Sequence, residues 1–209
     1  MSPTAGTRLT IVNVGYQSTN YWVVGAGASR LIVDLGYPGT MGTLRARLER
    51  MGVPLRELRY ALATHYHIDH AGAAQDLKNA GVPLLVLESQ VGAIAPMKAF
   101  TKPHDHYTEI VPAGNVVIPF AASRELLAGI GIAGEIVATP GHSDDSVTLL
   151  FDDGSAFTGD LTPPGFAVEE DAEQVAASWR LLRDRGATQL YPGHGPARPF
   201  PDLTAVGAR

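Results

Sequence analysis

No cysteine occurs among the 209 residues. A disulfide framework is therefore impossible, and no thiolate is available as nucleophile or metal ligand. Charge is sparse: charged residues make up 18% of the chain, with 16 basic against 21 acidic side chains and a net charge of -5. That balance lacks the broad basic footprint of a nucleic-acid binder, so no nucleic-acid partner is expected. Long apolar runs are missing as well. No stretch approaches the roughly 18 consecutive apolar residues of a membrane-spanning helix. Met1 to Gly15 shows no basic region followed by an apolar run, the pattern of an export signal. These absences point to a cytoplasmic protein without a membrane partner.

What is present fits a globular domain. Hydrophobic residues reach 45%, and the length suits one domain, read here as residues 1–209. Short runs rich in Val, Ile and aromatics predict strands at Leu9–Val14, Tyr21–Val24, Leu31–Asp34, Arg59–Thr64, Leu84–Leu87, Glu135–Thr139, Ser146–Phe151, Ser155–Thr158 and Gln189–Tyr191. Asp152-Asp153-Gly154 is a hairpin signal between two of them. Apolar residues stepping by three or four predict helices at Thr40–Gly52, through Met41, Leu44, Leu48 and Met51, and at Asp171–Arg185, through Val175, Trp179 and Leu182. Ala71–Ala80, closed by Gly81, and Ser123–Ile130 read as further helices. Between them Ala95 to Phe120, with Pro96, Pro103, Pro112 and Pro119, reads as a long irregular segment that is functional or mobile. Neither half shows the regular strand–helix alternation of a doubly wound sheet, and two sheets with helices outside them fit the order better.

The chemistry concentrates in His65-Tyr66-His67-Ile68-Asp69-His70. Four potential metal ligands lie within six residues, on a loop anchored by a strand before it and a helix after it. His65 and His67 are two apart, so an extended segment points both the same way. Asp69 and His70 come as the chain turns towards a second point. Three more ligand types stand just past predicted strands, each preceded by glycine: His142 after Gly141, Asp160 after Gly159 and His194 after Gly193. Glycine permits the sharp turn and close backbone approach that such a position needs. Imidazole and carboxylate are the donors zinc accepts when no thiolate is present.

The pattern HxHxDH, then a separated His, then Asp, then His, resembles the metallo-β-lactamase superfamily. The likeness runs from about Leu9 to Gly195. It implies an α/β chain folded as an αββα four-layer sandwich, with the site at one edge of the two sheets. It further implies that His65, His67 and His142 hold one metal, that Asp69, His70 and His194 hold another, and that Asp160 bridges them. Two cations about 3.5–4 Å apart share one water and lower its pKa towards neutrality. On that likeness Asp160 would supply bridging charge, and Asp69 would both ligate and orient the activated hydroxide. Asp34 matches the family's first aspartate, which supports the site rather than acting in catalysis. The donor types favour two Zn²⁺ per chain, with Mn²⁺ and Fe²⁺ open, as is a one-metal site using part of the set.

The superfamily is chemically broad, and fold does not decide among its activities. The absent cysteine excludes the lactamase type with a Cys ligand, and Asp160 argues against the other main type. Pro196–Arg209 leaves no room for the glutathione-binding region of glyoxalase II. Ile68 and the lack of an RNA-gripping insertion depart from ribonuclease Z. Leu161-Thr162-Pro163 departs from the tyrosine that acyl-homoserine lactonases place after the bridging aspartate. The remaining expectation is a glyoxalase II-like or lactonase-like hydrolase of a small acyl substrate: a lactone, ester or thioester. A mononuclear-iron persulfide dioxygenase-like enzyme and a phosphodiesterase or nuclease stay as alternatives. His104, His106 and Tyr107 are substrate-contact candidates if the irregular segment lids the site. Tyr16, Tyr66 and Tyr191 are candidate oxyanion donors as well as packing residues. Ser143, Asp144 and Asp145 are candidate supports for His142 or turn residues.

Overall fold

The computed structural model describes residues 9–203; the reading of residues 1–8 as free of an export signal lies outside them. The chain opens with a three-strand antiparallel meander, β1 (Thr10–Asn13), β2 (Trp22–Ala26) and β3 (Ser29–Val33). The same sheet then continues in parallel through β4 (Leu58–Leu62), β5 (Leu84–Leu87) and β6 (Val116–Ile118). Parallel neighbours need a crossover. The helix α1 (Met41–Arg50) links β3 to β4, and the short helices α2 (Ile68–Ala71) and α3 (Ala74–Asn79) link β4 to β5. Leu84–Leu87 is buried at every position, as a strand covered on both faces requires.

The short helix α4 (Val91–Ile94) follows β5, and α5 (Ser123–Gly129) leads into the second sheet. That sheet contains β7 (Gly134–Ala138), β8 (Val147–Phe151), β9 (Ser155–Gly159), β10 (Gln189–Pro192) and β11 (Arg198–Pro199), in the spatial order β11-β10-β9-β8-β7. Strands β7, β8 and β9 are antiparallel; β9 and β10 are parallel, joined through α6 (Ala172–Asp184).

Side-chain alternation sorts the core into three layers. Val23, Ile32, Ala61 and Val86 face Leu44, Leu48 and Leu77 of the helices. Their neighbours Val24, Leu31, Val33, Leu62 and Leu85 turn the other way and meet Ile136, Val147, Leu149 and Phe157 of the second sheet. On the far side, Val137, Leu150, Ala156 and Leu190 take the stripe Val175, Trp179 and Leu182 of α6. Helices, sheet, sheet and helix form the αββα sandwich, in which β5, β8 and β9 are buried at every position while the edge strands β1, β6 and β11 are partly or wholly exposed.

Three details differ from the sequence reading. The helix expected over Ala71–Ala80 is two pieces, and the first begins at Ile68. Pro38 packs so closely on Gly72 that a Cβ there would lie 2.3 Å from Pro38 Cδ. The Ala73 N–H leaves the helical ladder and donates to the Gly36 carbonyl instead. The segment Ala95–Phe120 is not structureless: it holds 3₁₀ turns at Ala95–Phe100 and Pro103–Asp105, then β6. Lys78 Nζ on α3 anchors it, donating to the Val111 carbonyl at 2.6 Å and the Ala113 carbonyl at 3.1 Å. The two-residue strand β11 had no sequence signal, being shorter than one alternation and containing Pro199.

Candidate metal centre

All seven ligand-type residues arrive at one edge of the sandwich because each follows a strand end. His65 and His67 continue β4. Asp69 and His70 occupy α2. His142 follows β7, Asp160 follows β9 and His194 follows β10. Buried hydrogen bonds hold these loops. The Asp145 carboxylate accepts the Tyr66 N–H at 2.7 Å. Gln90, fully buried, donates to the Ala63 carbonyl at 3.0 Å and to the Thr64 and Asp145 carbonyls at 3.3 Å each, while its own carbonyl accepts the Leu87 N–H. The first-sheet ligand loop and the His142 loop are thereby tied to one amide. On the His194 side, Trp22 Nε1 donates to the Pro192 carbonyl at 3.0 Å, and Asn20 Nδ2 donates to the Pro192 and Gly195 carbonyls.

The donor atoms form two adjoining groups. Donors of His65, His67 and His142 lie within 4.8 Å of one another, with His142 Nε2 3.1 Å from His67 Nδ1. In the second group, Asp69 Oδ2 is 3.3 Å from His70 Nε2 and 3.2 Å from His194 Nε2. Asp160 Oδ2 is 3.4 Å from each of the same two nitrogens. Four donors bound about 2.0–2.1 Å from one tetrahedral ion stand about 3.3 Å apart, so these separations are those of a zinc-sized cage. Asp160 Oδ2 is also 3.8 Å from His142 Nε2, so a single carboxylate oxygen faces both groups.

Orphaned atoms point the same way. His65 Nε2, His70 Nε2 and Asp160 Oδ1 are buried without a hydrogen-bond partner among the described residues. His70 Nε2 lies near two carboxylates yet makes a directed hydrogen bond to neither. Leaving such groups unsatisfied costs about 1–3 kcal/mol each, and a cation satisfies the two imidazole lone pairs directly.

The opposite ring nitrogens are spoken for. His70 Nδ1 donates to Asp34 Oδ2 at 2.9 Å. Asp34 Oδ1 accepts the Thr64 backbone N–H at 2.8 Å and its hydroxyl at 2.9 Å, and the Thr64 oxygen in turn meets His65 Nδ1 at 3.1 Å. His194 Nδ1 donates to the Ser18 carbonyl at 2.8 Å. Each acceptor places the proton on Nδ1 and leaves Nε2 free to ligate. The Asp69 carboxylate accepts the Thr19 hydroxyl at 3.1 Å.

The charge state follows. Burial alone would lower the His70 pKa, but the Asp34 charge, the hydrogen bond to Asp34 and the neighbouring Asp160 and Asp69 carboxylates push it up to about 12. Burial favours the neutral form of Asp69 and Asp160, yet the His70 cation outweighs it and lowers both. Burial and the neighbouring imidazoles hold His65 well below its usual value, and burial lowers His142. Without metal, the His70 proton offsets the carboxylate cluster.

Two glycines are required by close approach. Gly159 has φ of 52°, and a Cβ there would sit 2.2 Å from the Thr64 hydroxyl. A Cβ on Gly193 would fall 2.4 Å from Asp160 Oδ1 and 2.6 Å from His70 Cε1.

The structure does not bring every candidate to the ligand groups. Tyr66 is in the first core layer and Tyr191 stacks on Phe157 at 4.7 Å, so both are packing residues. Tyr16 lies under the Arg47 guanidinium. His104 and His106 are exposed, and Tyr107 rests against the first core layer. Ser143 bonds Ser146 within the turn, whereas Asp145 supports the His65–His67 loop rather than His142 itself. Sequence reasoning missed Thr64, Gln90, Thr19 and the Ser18 carbonyl, because nothing local distinguishes them from ordinary polar residues.

Comparison with known proteins agrees with this fold. The chain is 29% identical over 197 residues to a beta-lactamase-like protein 2 homolog of Caenorhabditis elegans, covering 92% of this chain and 62% of that one. A probable metallo-hydrolase of Methanocaldococcus jannaschii is 26% identical over 198 residues, covering 90% and 92%. The thioesterase pkgB of Emericella nidulans is 29% identical over 185 residues, covering 87% and 47%. The chain thus spans less than two thirds of the length of the first and third. Among solved structures, a B3 metallo-beta-lactamase, BLEG-1, superposes with a TM-score of 0.70 at 21% identity, covering 92% and 94%. A protein solved in a di-iron-bound form gives 0.68 at 24% identity, covering 94% and 96%. The sequence profile of the metallo-beta-lactamase superfamily matches residues 14–204, and the chain belongs to that superfamily.

Proposed function

We propose that residues 1–209 act as one domain, a metal-dependent hydrolase of a small acyl substrate such as a lactone, ester or thioester. In this reading His65, His67 and His142 hold one divalent ion, Asp69, His70 and His194 hold a second, and Asp160 serves both. The observation that carries it is the position of Asp160 Oδ2, 3.4 Å from His70 and His194 and 3.8 Å from His142. Two bound cations would supply an activated water near neutral pH and polarise the substrate carbonyl.

The chain's own residues set the conditions for that chemistry. Asp34 and Thr64 present His70 and His65 with Nε2 outward. Thr19 fixes the Asp69 carboxylate at the mouth of the site. Zn²⁺ suits the donor set; the di-iron form of the structural neighbour makes iron the competing occupant. The thioesterase named among the relatives supports an acyl rather than a phosphoryl substrate.

The test is a matched panel of a lactone, a thioester, an aryl ester and a phosphodiester, assayed with Zn²⁺ and with His142→Ala and Asp160→Asn as controls. Acyl turnover that disappears in both variants supports the reading, together with about two metal ions per chain by elemental analysis. Turnover confined to the phosphodiester moves the protein to nuclease chemistry. One iron per chain with sulfite formed from a glutathione persulfide overturns the hydrolase reading.

A further inference from the structure

Two of the three ligands in the second group are held by one turn of the chain. Between β1 and β2, the turn 15–19 offers the Ser18 carbonyl to His194 Nδ1 at 2.8 Å and the Thr19 hydroxyl to Asp69 Oδ2 at 3.1 Å. Thr19 also bridges to His194 as a strand would. Asn20, the next residue, donates its backbone N–H to the Gly193 carbonyl at 2.7 Å. No hydrogen bond of the turn among the described residues reaches His65, His67 or His142.

The turn closes on itself only weakly. Its own backbone bond, from the Thr19 N–H to the Tyr16 carbonyl, is 3.4 Å long, and the Tyr21 hydroxyl reaches the same carbonyl at 3.4 Å. Both exceed the usual range for such bonds. Gln17 at its centre has φ of 57°, a left-handed conformation that a non-glycine residue keeps where surrounding structure imposes it. Asn13 ties the base, accepting the Gly15 N–H at 2.7 Å and donating to Asn20 Oδ1 at 2.7 Å. Arg47 grips the turn itself. Its guanidinium donates to the Gly15 carbonyl and lies 5.5 Å from the centre of the Tyr16 ring. A charge-assisted hydrogen bond and a cation–ring contact from one rigid group restrain two successive residues at once. Arg47 stands on a firm base, because Leu44 and Leu48 bury α1 in the first core layer.

We propose that Arg47 is a positioning residue for the second ligand group. By pinning Gly15 and Tyr16 it holds Ser18 and Thr19 in place, and so sets the affinity of the ion that Asp69, His70 and His194 would hold, without acting on the His65, His67 and His142 group. This rests on the two-ion reading above and adds to it a residue that touches neither ligand nor substrate.

The test compares wild type with Arg47→Ala, Arg47→Lys and, as a control on the same helix, Arg45→Ala. Chelator competition measures Zn²⁺ affinity, and nitrogen-edited proton spectra of the zinc-loaded protein follow the imidazole N–H groups. Arg47→Ala should bind one of its two ions about tenfold more weakly, the low end of the effect of removing a ligand's direct partner, and the other ion as wild type does. The His194 Nδ1–H, sheltered by Ser18, should exchange faster with water, while the His70 Nδ1–H, held by Asp34, should not change. Arg47→Lys, which keeps a cation and a donor, should fall between, and Arg45→Ala should match wild type. Equal weakening of both ions, or faster exchange at both histidines, makes Arg47 a residue of general stability and overturns the proposal. Unchanged affinity with an unchanged His194 signal overturns it too. A wild-type protein that binds a single ion overturns the two-ion reading instead, and the His194 exchange rate then decides whether Arg47 pins the turn.

Discussion

Asp34 Oδ2 lies 2.9 Å from His70 Nδ1, and the other oxygen of the same carboxylate reaches His65 through the Thr64 hydroxyl. One buried carboxylate therefore sets the tautomer of a histidine in each ligand group. Asp34→Asn replaces the Oδ2 acceptor by an amide donor. It would force the His70 proton onto Nε2, the atom that must ligate. The variant should bind Zn²⁺ about 10–100-fold more weakly, as loss of a ligand's supporting partner does. Competition with a chromophoric chelator checks this, and unchanged affinity would remove Asp34 from the site.

The His70 charge gives metal-free protein a distinctive pH dependence. Its folded pKa is raised to about 12 from the ordinary 6.5 of a histidine. The associated stabilisation is full below the unfolded value and is lost as pH rises towards the folded one. Melting temperature of the metal-free protein should therefore fall between about pH 7 and pH 9. Metal loading displaces that proton, so Zn²⁺ binding should release protons and tighten as pH rises. Thermal scans and unbuffered titration calorimetry measure the two effects; a flat metal-free profile contradicts the assignment.

Gln90 connects three carbonyls and one N–H with no solvent contact. Gln90→Leu fills the space but strands those groups. It should destabilise the fold by about 1–3 kcal/mol or more, since more than one buried group loses its partner. The Co²⁺ absorption spectrum of the His65, His67 and His142 group should change as well, because its two loops lose their common tie. Urea unfolding with retained wild-type absorption would assign Gln90 to stability alone.

Gly193→Ala introduces a Cβ 2.4 Å from Asp160 Oδ1 and 2.6 Å from the His70 ring. The displaced groups are the His70 ring and Asp160, whose Oδ2 lies 3.4 Å from the His70 and His194 nitrogens. Metal content should drop from about two ions per chain to about one, with far-ultraviolet dichroism unchanged. Full occupancy in the variant would show that the loop yields without disturbing the cage.

The donor residues were legible because ligand chemistry is local. His65, His67, Asp69 and His70 fall within six positions, and glycine before His142, Asp160 and His194 marked three more strand ends. The helices α1 and α6 were legible from the stepping of Leu44 and Leu48 and of Val175, Trp179 and Leu182, although each was read slightly long. The break between α2 and α3 was not, because its cause is Pro38 pressing on Gly72 from 34 residues upstream. Strand β6 was hidden by its three-residue length and exists through pairing with β5.

By itself, then, the sequence determined which side chains can bind metal and that strand ends would present them, since spacing and turn chemistry act over a few residues. The tertiary structure alone decided which donors come within a few ångströms of one another and which ring nitrogen each histidine offers. Those properties depend on separations near 3 Å between atoms far apart in the chain, such as Asp34 and His70 or Ser18 and His194, and only packing of the two sheets sets them.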